Sequence, residues 1–213
     1  MDITAALYLK VANHDPKNPN WDGRDRIIWS TGHKAPSLYL GLAFAGFWPL
    51  DDVVTLRKIG SPYQGPPHWL KLPGVEVSIA SLGQGLSIGA GMALVGKFNN
   101  RSHKVCIMGD GEQQEGQVCE AAMEAGHYKL DNRIGIIDCN RLQIEGWVKD
   151  VMSVEPLCAK YGSFGWDVIR IDGHNMEQVV DALEQAKAAT GRPRIPELSS
   201  PPKSIRSAHW PGG

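Results

Sequence analysis

The 213 residues carry 22 Lys and Arg against 23 Asp and Glu, a formal net charge of −1, with 42% apolar and 21% charged residues. That balance suits a globular chain long enough for one full α/β core; it offers no basic patch for nucleic acid and no apolar run of membrane-spanning length. Cys106, Cys119, Cys139 and Cys158 are scattered without a CxxC pair, so they read as reduced, buried residues of a cytoplasmic protein, and no signal segment is expected ahead of the fold.

Residues 2–12 place apolar side chains at helical spacing and stop before Asn13-His14-Asp15-Pro16, where proline ends a helix. A loop rich in Pro, Asn and charge follows over 15–26. Ile27-Ile28-Trp29 is short and β-prone and runs into Ser30-Thr31-Gly32-His33, after which residues 36–48 read as a helix. His33 therefore stands between a strand end and a helix start. That place suits a phosphate contact, and it suits equally a histidine satisfied by backbone in a turn. Residues 51–59 read as a short helix with Asp51 or Asp52 as N-cap. The Gly- and Pro-rich run from Gly60 to His68 excludes regular structure. Residues 84–98 form a glycine-punctuated helix whose small residues Ser87, Gly89, Ala90, Gly91 and Ala93 allow close packing, and 99–103 read as a turn.

The segment 105–146 carries the chemistry. Val105-Cys106-Ile107-Met108 reads as a buried strand that ends abruptly in Gly109-Asp110-Gly111. A helix follows, then a second apolar run, 134–137, which ends in Asp138-Cys139-Asn140. Two strands thus deliver an oxygen ligand each, Asp110 and Asn140, at the carboxyl ends where parallel α/β sheets bind ligands. Mg²⁺ takes a few hard oxygen ligands and relies on phosphates and water for the rest. One carboxylate and one neutral carbonyl oxygen suit a metal whose remaining charge is met by a bound diphosphate. Gly109 and Gly111 allow the backbone to turn sharply and approach a phosphate. Glu115 and Glu120 fall near the helix start, where acids favour the helix dipole. Beyond Asn140, residues 154–161 read as a helix, 166–171 as a strand and 176–189 as an amphipathic helix.

Gly109-Asp110-Gly111 followed thirty positions later by Asn140 is similar to the thiamine-diphosphate signature. The surrounding runs resemble the N-terminal half of transketolase in its short, split form. These runs are Gly32-His33-Lys34-Ala35-Pro36, Ser81-Leu82-Gly83-Gln84-Gly85, Glu115-Gly116-Gln117, Leu142-Gln143-Ile144-Glu145-Gly146, Phe164-Gly165-Trp166 and Ile171-Asp172-Gly173-His174. The resemblance covers residues 3–195 and implies a doubly wound, mostly parallel α/β domain. It further implies thiamine diphosphate with Mg²⁺ (or Ca²⁺) as cofactors, held by Asp110, Asn140 and the backbone carbonyl of Leu142, with His33 on the diphosphate and Ser30 and Lys34 as auxiliary contacts. Gly109 and Gly111 would cradle the diphosphate, and Ala80, Ser81 and Leu82 would face the aminopyrimidine. Glu115 and Glu120 would lie at a subunit interface linking two active sites.

The resemblance implies transfer of two-carbon ketol units between sugar phosphates, with the glutamate that activates the aminopyrimidine supplied by a C-terminal subunit carrying the pyrimidine-binding domain. This chain alone would be inactive, and the assembly would be a homodimer or heterotetramer. Other thiamine-diphosphate enzymes, a 1-deoxyxylulose-5-phosphate synthase or a dehydrogenase E1 component, are the rivals within enzymes, and a non-catalytic remnant is the rival outside them. Several positions depart from the family pattern. Pro66 stands where the family has a substrate-facing histidine, which leaves His68 as the substitute candidate, and Ile79 stands where a threonine is usual. The helix that in the family carries a Ser-Gly-His-Pro-Gly run has no counterpart. Ile195-Pro196-Glu197-Leu198 would begin a further strand, but Ser199-Ser200-Pro201-Pro202 would break it. The domain is therefore expected to end at 195, with 196–213 an irregular tail, the sheet frayed where its last strand is lost, and an altered reading frame near 195 as the cause.

Overall fold

In a computed structural model, which describes residues 1–99, 104–144 and 146–200, the apolar runs form strands because their side chains alternate between two covered faces. The strands are β1 (Arg26–Trp29), β2 (Lys104–Gly109), β3 (Arg133–Cys139), a two-residue hairpin β4 (Leu142–Gln143) and β5 (Gly146–Trp147), then β6 (Asp167–Asp172) and β7 (Arg194–Ser199). The helices are α1 (Asp2–Ala6), continued by wider turns over Leu7–Val11, α2 (Ala35–Phe44), α3 (Gln84–Phe98), α4 (Gly116–His127), α5 (Val148–Val151), α6 (Leu157–Ser163) and α7 (Met176–Ala188). The main sheet runs β1-β2-β3-β7-β6, and every neighbouring pair is parallel.

Strand alternation sorts the core into two layers. Ile27, Trp29, Val105, Ile107, Ile134 and Ile136 pack with Leu7, Leu38, Leu42, Val179 and Leu183 from α1, α2 and α7. Ile28, Cys106, Met108, Ile137 and Ile195 pack with Leu86 and Ala90 of α3, Val118 and Ala122 of α4, and Leu157 and Tyr161 of α6. Helices on both faces of a parallel sheet make the doubly wound fold expected from the sequence. Helix α2 begins with proline in its first turn, where the missing N–H costs nothing. Helix α7 is capped by Asn175, whose side chain accepts the Gln178 amide at 3.2 Å.

Several boundaries differ from expectation. The helix expected over 51–59 is a short helix of 3-10 type, Leu50–Thr55, and the one expected to reach Trp48 ends at Phe44, before Gly46 turns with φ +92°. The turn expected over 99–103 lies outside the described residues except for Asn99. Cys106 and Cys139 are buried as expected, but Cys119 is exposed and Cys158 half-buried; all four are free.

The main correction concerns the C-terminus. The strand expected to be lost is present as β7, and it sits inside the sheet between β3 and β6. The boundary expected at 195 thus falls within a strand, and 196–199 are sheet residues. Pro196 is accommodated by a local gap. The register with β3 pairs Ile134 with Arg194 and resumes at Ile137 with Glu197, while that with β6 continues unbroken through Ile169 and Pro196. Burial of Ile195 and Leu198, 0% and 1% exposed, outweighs the missing donor. Residues 201–213, the remainder of the expected tail, lie outside the described residues.

Leu198→Ala is expected to destabilise the chain by about 2–5 kcal/mol, the cost of a core cavity, read from the denaturant midpoint. A midpoint equal to that of the parent would mean that β7 contributes nothing to the folded core.

Candidate functional site

Strands β1, β2 and β3 end side by side, and a cavity of about 620 Å³ opens at their carboxyl edge. After β1 the chain supplies Thr31, His33 and Lys34; at and after the end of β2, Gly109, Asp110, Gly111 and Glu112; after β3, Asn140 and Leu142; Ala80 and Leu82, from the loop before α3, complete the lining. Residues more than a hundred positions apart in sequence, such as His33 and Leu142, thus meet because parallel strands bring their carboxyl ends to one edge.

Asp110 is 5% exposed. Its Oδ1 accepts the Gly111 amide at 3.0 Å and its Oδ2 the Arg141 amide at 2.6 Å. Desolvation by burial raises its pKa above the usual carboxylate value despite these bonds, and Asp138 pushes in the same direction. Among the described residues no cation pairs with it. Arg141 adopts φ +67°, a left-handed conformation that aims its amide at Asp110. Asn140 Oδ1 accepts the Leu142 amide at 2.8 Å, which leaves a second lone pair for another partner. Leu142 is fixed by pairing with Trp147 across the β4–β5 hairpin.

His33 borders the cavity with its pKa lowered, first by burial and then by the charge of Lys34. At neutral pH it is therefore uncharged and offers one N–H donor and one acceptor. Lys34 Nζ pairs with Asp138 Oδ2 at 2.5 Å, and Asp138 also accepts the Ser200 hydroxyl. The wall turn is held by glycines that nothing larger replaces. A Cβ at Gly32 would stand 2.3 Å from the Ile79 carbonyl oxygen, and Gly83 turns at φ +81° against Glu115.

The structure divides the remaining candidates. Ser81 is exposed on the wall turn and Glu120 is exposed on α4; neither lines the cavity. Glu115 does line it, and although it occupies the N-cap position of α4 its side chain makes no capping hydrogen bond. His68 stands outside the cavity, its Nδ1 accepting the Leu70 amide at 3.2 Å. Pro66 is the residue of that loop beside the His33 turn, 3.4 Å from where a Gly32 Cβ would be. Ser30 does not touch the cavity but lies behind it, in a network that sequence reasoning passed over. Glu112, 2% exposed, accepts the Ser30 hydroxyl, the Gly83 amide at 2.7 Å and the Gly109 amide at 3.1 Å. In sequence it is one more acid at a helix start; only the convergence of three loops on it marks it out.

Three observations test whether a metal and a diphosphate fit. A buried carboxylate without a paired cation faces the cavity, and burying such a charge is costly unless a cation compensates it. The Thr31 hydroxyl, in the buried cavity wall, has no hydrogen-bond partner among the described residues. A Cβ at Gly109 would meet only Thr31, at 3.6 Å, so the protein's own packing does not demand glycine there, while an approaching ligand would. No group of three or more His, Cys, Asp or Glu side chains that could hold a metal occurs among the described residues. The donor set is instead one carboxylate plus neutral oxygens, which suits a hard cation that completes its shell with phosphate oxygens and water. The residues present fit the group.

A parallel, doubly wound sheet with such a cavity outside its carboxyl edge defines an α/β ligand-binding domain of the crevice type. The chain belongs to the transketolase family: residues 1–200 match the family described as transketolase, thiamine diphosphate binding domain. It is 42% identical over 195 residues to a 6-deoxy-6-sulfo-D-fructose transketolase subunit of Clostridium sp. (strain MSTE9), covering 91% of this chain and 71% of that one. It is 39% identical over 196 residues to an apulose-4-phosphate transketolase subunit of Phocaeicola vulgatus, covering 92% and 69%. Transketolase from Leishmania mexicana matches in structure with a TM-score of 0.87 at 32% identity, covering 92% of this chain and 31% of that one. The chain thus spans less than a third of that solved transketolase.

Arg141→Gly is expected to keep the amide on Asp110 and to leave stability unchanged or raised, because glycine adopts φ +67° freely. Arg141→Val should cost about 1–3 kcal/mol, the strain of a β-branched residue held there. Equal denaturation midpoints for the two variants would show that the left-handed conformation is not retained.

Proposed function

We propose that this chain is the thiamine-diphosphate- and Mg²⁺-binding half of a two-subunit transketolase acting on sugar phosphates. The observation that carries the reading is the single cavity that collects His33, Asp110, Asn140 and Leu142 from three strand ends. When bound, thiamine diphosphate supplies the nucleophilic carbon for two-carbon ketol transfer. Asp110, the Asn140 side-chain oxygen and the Leu142 carbonyl hold the metal. His33, uncharged, donates an N–H to the diphosphate, and the Thr31 hydroxyl stands ready for a further polar contact. Gly109 and Gly111 leave room for the phosphates, while Ala80 and Leu82, with Ser81 on the same turn, wall the ring end. Glu115, exposed at the cavity rim, and Glu120 on the outer face of α4 lie at a subunit interface. His68 has no place in this scheme, because it stands outside the cavity.

The relatives named as subunits support a partner chain, which brings the pyrimidine-binding domain and the acid that activates the ring. The assembly is a dimer of such halves or a heterotetramer, in the cytoplasm. Among the described residues no helix is long and apolar enough to cross a membrane.

Titration calorimetry with thiamine diphosphate in excess Mg²⁺ should show binding that Asp110→Ala weakens at least about 30-fold, since an ionic ligand and its hydrogen bonds are lost. His33→Ala should weaken it about 10-fold, the value of one hydrogen bond to a charged group. No heat with the parent chain, or undiminished binding by Asp110→Ala, would sink the proposal. Ketol transfer is expected only after mixing with a C-terminal transketolase subunit.

The metal competes with a proton for Asp110, whose pKa is raised by burial. Metal-dependent binding should therefore be complete above that raised pKa and fade as pH falls through it, at a higher pH than an exposed aspartate would give. A binding profile that is flat down to the ordinary carboxylate range would contradict this assignment.

A further inference from the structure

Three separate parts of the cavity hang from one side chain. Glu112 takes the Gly109 amide at 3.1 Å on Oε2, and on Oε1 it takes the Gly83 amide at 2.7 Å together with the Ser30 hydroxyl. Gly109 precedes Asp110 at the metal end. Gly83 closes the turn that carries Ala80 and Leu82, which also line the cavity. Ser30 leads into Thr31 and His33, and its oxygen accepts the Gly85 amide at 3.1 Å at the start of α3. The backbone approaches around these bonds are close. A Cβ at Gly83 would stand 2.7 Å from Glu115 Cβ, and one at Gly85 would stand 2.5 Å from Ser30 Cβ.

We propose that Glu112 is a positioning residue that fixes the spacing between the metal end of the cavity and the Ala80–Leu82 wall, so that one ligand spanning both ends is bound as a unit. The inference rests on the thiamine-diphosphate reading given above, because that ligand carries an anionic group at one end and a ring at the other. The physical basis is preorganisation. When two subsites are held at a fixed separation, a linked ligand gains an effective concentration at the second site that separate fragments do not. If the spacing loosens, the linked ligand loses that gain, while a fragment that uses one end alone keeps its own contacts.

Glutamine is the informative replacement. It keeps the volume of the side chain but brings one NH₂ group in place of an acceptor. In one orientation that group faces the Gly109 amide; in the other it faces the Gly83 amide and Ser30. Either way a tether between the two ends is lost, while the side chain keeps its volume in the cavity lining. Ser30→Ala releases the third tether and serves as the second variant should Glu112→Gln fail to fold.

The experiment compares two ligands by calorimetry in excess Mg²⁺: thiamine diphosphate, which spans the cavity, and inorganic diphosphate, which occupies the metal end. Urea denaturation of the free chains runs in parallel. Glu112→Gln is expected to weaken thiamine diphosphate about 10-fold or more beyond any loss of inorganic diphosphate, the scale of a lost linkage advantage. Ser30→Ala should shift the same ratio in the same direction. Equal weakening of both ligands would reduce Glu112 to a structural residue, and undiminished binding of both would overturn the proposal outright. Failure of the parent chain to bind thiamine diphosphate would instead count against the cofactor reading itself.

Discussion

The Asp110 carboxylate is buried, accepts two backbone amides and meets no cation among the described residues. In a solvated loop that arrangement would be ordinary. In a desolvated one it is an unbalanced charge, and two amide donors offset only part of its cost. The burial has a structural origin. Asp110 immediately follows β2, an interior strand whose neighbours on both sides are parallel, so its loop is enclosed by the ends of β1 and β3. Arg141, in its left-handed conformation, closes the loop after β3 against the same carboxylate. The rest of the site is arranged around that charge: neutral oxygens beside it, an uncharged histidine opposite, and open space where a cation and an anion would offset one another.

The charges nearby are largely committed already. Lys34 is paired with Asp138, which also takes the Ser200 hydroxyl just beyond β7. Glu112 is engaged by two amides and a hydroxyl. A ligand therefore meets fixed dipoles and the amide-held carboxylate of Asp110 more than mobile counter-charges, which lowers the reorganisation needed on binding. The commitment of Asp138 to Ser200 also gives β7 a part in the site. The strand is interior, between β3 and β6, and its end braces theirs: the Ser200 amide, just past β7, meets the Cys139 carbonyl at 3.0 Å and the Gly173 amide meets the Ser199 carbonyl at 2.8 Å.

The fold was legible wherever local pattern and tertiary packing agreed. The runs at 27–29, 105–108 and 134–137 are apolar on both faces, as strands covered by helices must be, and helix 84–98 was bounded to the residue. The reading failed at β7 for a physical reason. Proline and serine are penalised locally in any strand, whereas burial of Ile195, Leu198 and the flanking ladders is a non-local gain that the segment's own composition does not reveal. The strand-end positions of Asp110 and Asn140 were legible because both sit at fixed places relative to apolar runs. Glu112 was not, because nothing in its neighbours indicates that Ser30 and Gly83 will arrive beside it.

The sequence by itself determined the class of fold, through the periodicity of its apolar runs, and the family, through the motifs it shares with transketolases; it also placed Asp110 and Asn140 at strand ends. Only the tertiary structure decided which of the candidates share one cavity. His33, Asp110, Asn140 and Leu142 do, Ser81 and Glu120 lie on adjoining surfaces, and His68 stands apart. The difference is one of range. Local pattern fixes where a strand ends, but which strand ends lie side by side, and which side chains burial deprives of water there, are set by contacts between residues far apart in the chain.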